Sequence, residues 1–159
     1  DVITLDYGQM APRMLYGLAG VQPHFDDAYR IPGLEPWRDG IKKLFNSMTH
    51  TDKPLSRRPK GSRSLLPAHY SVAEVADMIQ DFHRPIAHYF HDSEGLHLTY
   101  LESRILIAVL LHLIEQGITA LPIHDAVIVA EDHQDQARET MLQVFKEMTG
   151  IEGLVEVDH

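Results

Sequence analysis

An α+β fold, a small and largely antiparallel sheet backed by helices, is what this sequence predicts, and three observations carry it. A β-favouring segment, VITLD at residues 2–6, stands at the amino end. Two further apolar segments, 118–123 and 126–130, are separated only by His124 and Asp125 and read as a hairpin. The stretches between are long, and their apolar residues recur at helical spacing. The resulting order is β-α-α-α-α-ββ-α-β, with the first three strands gathered into one sheet backed on one face by the long helices.

Each element has a local reason. Val2, Ile3, Thr4 and Leu5 suit a buried strand, and Gly8 permits the chain to turn after it. Residues 9–19 read as a short helix, with Pro12 tolerated in its first turn and Gly20 able to end it. Gly20, Pro23, Pro32, Gly33 and Pro36 make 20–36 a loop. From Glu35 to about Met48, the residues Leu34, Trp37, Ile41, Leu44, Phe45 and Met48 recur at helical spacing. Arg38, Lys42 and Asn46 fall four apart on another face. Residues 49–68 form a long polar loop containing Pro54, Pro59, Gly61 and Pro67. Ser71 and Glu74 have the spacing of a capping box for a helix reaching Ile79 or Phe82, and Pro85 restarts or kinks the chain. Gly95 punctuates before the strongest helix, 98–115, which Gly117 ends. A final amphipathic helix covers 133–148, and LVEV at 154–157 adds a last strand.

The 159 residues are 44% hydrophobic and 23% charged, which suits an ordinary buried core and argues against a disordered chain. Cysteine is absent, which excludes disulfides, thiolate zinc sites and cysteine nucleophiles. The apolar runs are short, so no membrane contact is expected. The chain opens on Asp1 rather than Met, and it is read as a piece of something longer or as a reduced relative.

The net charge of −9 hides an asymmetry. Residues 38–63 hold eight basic residues, Arg38, Lys42, Lys43, Lys53, Arg57, Arg58, Lys60 and Arg63, against Asp39 and Asp52. The rest of the chain holds six basic against 21 acidic residues. A basic window of this kind can meet nucleic-acid or nucleotide phosphates, or it can be a solvated loop. The acidic remainder argues against broad wrapping of a duplex.

Asp6 ends the first strand and Asp125 lies in the hairpin turn, so pairing of these strands brings both carboxylates to one sheet edge. Close carboxylates repel unless a cation lies between them. Hard divalent ions accept such oxygen ligands together with substrate phosphates, and two ions can assist in-line attack at phosphorus. Asp6 serves equally well as a helix cap, His124 and Asp125 as plain turn residues, and Arg38 and Lys42 as a solvated face.

Three segments in this order resemble motifs of family A DNA polymerases, whose catalytic palm is shared with phage-type single-subunit RNA polymerases. DYGQMAPRMLYGLAG, from Asp6, is similar to motif A. RDGIKKLFN, from Arg38, is similar to the R-x-x-x-K start of motif B. LPIHDAVIVA, around Asp125, is similar to the motif C hairpin, and FDDAY resembles the region that follows motif A. The resemblance spans about residues 2–149 and is strong at motifs A and C.

It implies a palm-like sheet formed by 1–30 and 91–159, and an abbreviated fingers-like helical insertion at 31–90. It implies a template-directed nucleotidyltransferase, a DNA polymerase-like enzyme using Mg²⁺ or Mn²⁺. The metal ligands would be Asp6, Asp125 and the Tyr7 carbonyl. Asp6, Asp125 and Lys42 would be the catalytic set. Arg38, Lys42, Tyr7, Asn46 and His50 would contact the nucleoside triphosphate. Gln9, Arg13, His124, Lys53, Arg57, Arg58, Lys60 and Arg63 would contact primer–template nucleic acid. The missing thumb would come from a longer chain or a partner subunit, in a cytoplasmic or nucleoid-associated setting.

The sequence also departs from the family. Ala11 stands for the motif A glutamate that excludes ribose, Asn46 for a phenylalanine, His50 for a stacking tyrosine, and Ala126 for the motif C glutamate. These departures motivate a second reading, a non-catalytic palm-like module that binds nucleic acid or scaffolds replication proteins. A third is a two-metal phosphohydrolase or nuclease, which would need further acids from Asp26, Asp27 and Glu102.

Overall fold

The computed structural model describes residues 1–158. The chain divides into two units, one formed by 1–23 with 99–159 and the other by 24–98.

The first unit is built on β1 (Val2–Tyr7), β2 (Ala120–Ile123), β3 (Ala126–Ala130) and β4 (Val155–Asp158). Their order in the sheet is β2-β3-β1-β4, and every neighbouring pair is antiparallel. The fold is thus α+β, a small antiparallel sheet backed by helices. Alternation along β1 buries Ile3, Leu5 and Tyr7 and turns Val2, Thr4 and Asp6 to the other face. The register places Leu5 opposite Val127 and Ile3 opposite Val129, so both strands feed one core face.

Helix α5 (Gln134–Thr149) covers part of that face with Met141, Val144 and Phe145. The Tyr7 hydroxyl donates to the Met141 carbonyl at 2.6 Å, and the Tyr7 ring lies 5.4 Å from that of Phe145. Each buried aliphatic side chain here contributes about 1.5–3 kcal/mol relative to exposure. Helix α1 (Met10–Ala19) buries Met14, Leu15 and Tyr16. Gly17 packs so closely on Thr149 of α5 that a methyl group there would meet its backbone oxygen at 2.8 Å.

The second unit holds α2 (Arg38–His50), preceded by one 3₁₀ turn at Glu35–Trp37, and α3 (Val72–Phe82). Ile41, Leu44, Phe45 and Met48 of α2 are fully buried. The Ser71–Glu74 box expected from the sequence caps α3: the Ser71 hydroxyl accepts from the Glu74 N–H at 3.1 Å, and the Glu74 carboxylate accepts from the Ser71 N–H at 2.8 Å. Pro85 opens a 3₁₀ segment, Arg84–Tyr89.

Helix α4 (Gly95–Glu115) starts at Gly95, earlier than the expected 98. Glycine is there for space, because a methyl group at 95 would collide with the His50 ring. At 21 residues, α4 is by length and composition alone long and apolar enough to cross a bilayer, a property the short apolar runs had concealed. Its line Ile105, Val109 and Leu113 is nevertheless fully buried as protein core. β2 begins at Ala120 rather than 118, and Ile118 is buried just outside the strand.

Candidate functional site

In the first unit, the register fixes which polar residues share a face. Asp6 pairs with Ala126 on one side and with Glu156 on the other. Directly opposed residues project to the same face, so Ala126, Asp6 and Glu156 form one row across three strands. The Tyr7 N–H donates to the Asp125 carbonyl at 3.1 Å, which places Asp125 one residue beyond that row, in the hairpin turn. His124, the first turn residue, takes a left-handed φ of 53°. A two-residue hairpin turn demands this, and in a non-glycine residue it costs about 1–2 kcal/mol.

Two further carboxylates belong to this region. Glu102 on α4 is half-buried; burial raises its pKa, and the negative charge of Asp125 raises it further, with His124 acting in the opposite sense. Glu156 lies against the end of β1, where a methyl group on Gly8 would come within 3.1 Å of its carboxylate oxygen. Sequence reasoning named Glu102 only as a spare acid and passed over Glu156. The signal for Glu156 is the pairing of β4 beside β1, a long-range contact that local patterns do not encode.

For a divalent ion, the protein offers the two aspartates and the Tyr7 carbonyl. Among the described residues, no group of three or more His, Asp or Glu side chains is placed to hold a metal. The same finding removes the acid cluster that a two-metal hydrolase would require. On the β3 side, Ala126 stands opposite Asp6, so that ladder position carries no carboxylate.

Gln9 and Arg13 serve the β1–α1 junction. Gln9 takes a left-handed φ of 51°. Arg13 is 8% exposed and donates to the Gln9 side chain and to the Glu152 carbonyl, both at 3.4 Å.

The second unit carries the other expected residues. Arg38 donates to Asp27 at 2.6 Å, and its guanidinium lies 5.3 Å from the Tyr29 ring centroid. Burial would raise the Asp27 pKa, but hydrogen bonds from Arg38 and from the Tyr29 N–H outweigh it and hold the carboxyl below its ordinary range. Asp27, like Arg38, is thus committed to this pair. Lys42 is exposed on α2. On the same helix His50 is exposed, and its ring nitrogen lies 2.7 Å from the backbone carbonyl of Asn46 one turn back.

The basic loop is braced from within. Arg58 donates to four carbonyls, those of Arg63, Leu66, Pro67 and Tyr70, at 2.8–3.2 Å. The Ser62 hydroxyl donates to the Pro59 carbonyl at 2.6 Å. Lys53, Arg57, Lys60 and Arg63 remain exposed on this braced segment, with Lys42 and Lys43 exposed on α2.

No family model and no curated protein matches the chain. Among solved structures, the fold is similar to the POL domain of Pol1 from M. smegmatis, determined in complex with DNA primer-template and dNTP, with a TM-score of 0.55 at 11% identity. The likeness covers 98% of this chain and 38% of that one, so the chain spans well under half the length of the structure it matches. At this identity the likeness is one of fold.

Proposed function

We propose that this protein is a polymerase-related, palm-like module that binds nucleic acid. The observation carrying this reading is the braced basic segment, with Lys42, Lys43, Lys53, Arg57, Lys60 and Arg63 exposed in an otherwise acidic chain. Cations held on an ordered loop lose less conformational freedom on meeting phosphates, which favours binding. Ala126 beside Asp6 and the commitment of Arg38 to Asp27 weigh toward binding over nucleotide chemistry.

A second reading, template-directed nucleotidyl transfer, is favoured by the register that puts Asp6 and Asp125 at one end of adjacent strands. One set of measurements separates the two. Fluorescence anisotropy with a labelled primer–template DNA should show salt-dependent binding. The triple variant K53E/R57E/K60E should weaken it by about tenfold or more and flatten the salt slope. Binding unchanged in the triple variant would sink the lead reading. Primer extension with Mg²⁺ or Mn²⁺ tests the second: it requires extension by the wild type that is lost in both D6N and D125N, and extension retained by those variants rejects it.

A further inference from the structure

We propose that α4 is the contact between two copies of this chain, packed antiparallel along an exposed seam. The seam consists of Tyr100, Arg104, Ile107, Leu111 and Ile114, with spacings of 4, 3, 4 and 3. That alternation is the heptad seam of helix pairs, here just over two heptads long. Its apolar members are 57–67% exposed, while Ile105, Val109 and Leu113 on the opposite face of the helix are fully buried in the fold. One helix therefore carries two apolar lines, and only one of them is used within the chain. A contiguous exposed apolar strip of this kind marks an interaction surface in a soluble chain. A groove of about 410 Å³, lined by Arg104, Ile107, Ala108, Leu111 and Met148, runs along it and can receive side chains from a facing helix.

Charge selects both the occupant and its direction. Arg104 is the one polar residue in the seam, and its guanidinium lies 5.9 Å from the Tyr100 ring centroid. Parallel pairing of two copies would set Arg104 against Arg104. Antiparallel pairing centred on Ile107 sets Tyr100 against Ile114, lays the Arg104 stem over Leu111, and brings its guanidinium toward Glu115 of the second copy. The arrangement is self-complementary, as a two-fold interface must be.

The sheet edges are unsuited to the alternative of strand pairing. Ile123 and Ala126 flank the two-residue turn and form the hydrogen-bonded pair, so Pro122 sits at the next, non-bonded position and turns a nitrogen without hydrogen to the outer edge. The opposite edge strand, β4, presents the exposed acids Glu156 and Asp158.

Sedimentation equilibrium of the full chain tests the proposal. The wild type should dimerise with a Kd of about 10–100 µM. I107E should raise that Kd by about tenfold or more, with an unchanged circular dichroism spectrum because Ile107 is exposed. R104E and E115R should each weaken the dimer by about three- to tenfold, and the double exchange R104E/E115R should return it to within about threefold of the wild type. A wild type that stays monomeric to about 500 µM overturns the proposal. So does a dimer indifferent to I107E, or one in which the double exchange fails to restore association.

Discussion

Acidic groups are handled differently in the two units, and the contrast separates structure from candidate function. In the second unit, Asp27 meets Arg38 at 2.6 Å and accepts the Tyr29 N–H, so its charge is matched by donors that the fold supplies. Arg58 likewise spends its guanidinium on backbone carbonyls. In the first unit, Asp6 faces Glu156 across a strand pair, and Glu102 feels the charge of Asp125. Opposed like charges cost stability in a sheet. The first unit thus gathers acidic residues near the hairpin end of its sheet, whereas the Asp27–Arg38 pair of the second unit is closed within its own fold.

The largest test of this contrast asks how tightly the second unit is committed to structure. A methyl group on Gly40 would fall 1.8 Å from the Leu65 carbonyl oxygen, a backbone atom that cannot swing away. G40A should destabilise this unit by about 3 kcal/mol or more. In the first unit, G17A meets Thr149 at 2.8 Å and should cost less. Urea denaturation followed by tryptophan fluorescence reads the first effect through Trp37. A G40A transition at the wild-type midpoint would show the α2–loop packing to be loose.

A comparable effect comes from His83, which is fully buried among Phe25, Phe45 and Phe82, with its ring nitrogen 2.7 Å from the Ala28 carbonyl. Burial lowers its pKa from 6.5 to about 4; the Ala28 carbonyl opposes the shift and the charge of His24 adds to it. Between those values the unfolded chain binds the proton and the folded chain does not. Stability from this group is therefore complete above about pH 6.5 and falls as pH drops toward 4, by about 3 kcal/mol in all. H83Q keeps a hydrogen-bond donor and should remove most of that slope. Equal slopes for the variant and the wild type would assign the acid sensitivity to other groups.

Local chemistry explains what was legible in the sequence. The Ser71–Glu74 box, the first strand and the hairpin at His124–Asp125 are each written within a few residues, and each stands in the structure, although alternation along the strand leaves Val2 exposed where burial was expected. The pairing of Asp6 with Glu156 spans almost the whole chain and depends on β4 joining the free side of β1. The start of α4 at Gly95 depends on the His50 ring, 45 positions away. Arg58 read as one phosphate-binding cation among several, yet its four carbonyl partners come from the loop's own fold. Sequence displays charge but does not show which charges the fold will use.

The smallest expected effect examines the carboxylate edge itself. If Asp125 acts on Glu102 through its charge, D125N should lower the Glu102 pKa while leaving the part of the elevation due to burial. A carbon-detected NMR titration of the Glu102 carboxyl measures this without any substrate. The paired variant H124A should raise the same pKa slightly, because His124 acts in the opposite sense. D27N provides the counterpart in the second unit: it removes the partner of Arg38 there and should leave the Glu102 titration unmoved. A Glu102 pKa indifferent to D125N would mean that burial alone sets it, and the two units would then treat their acids alike.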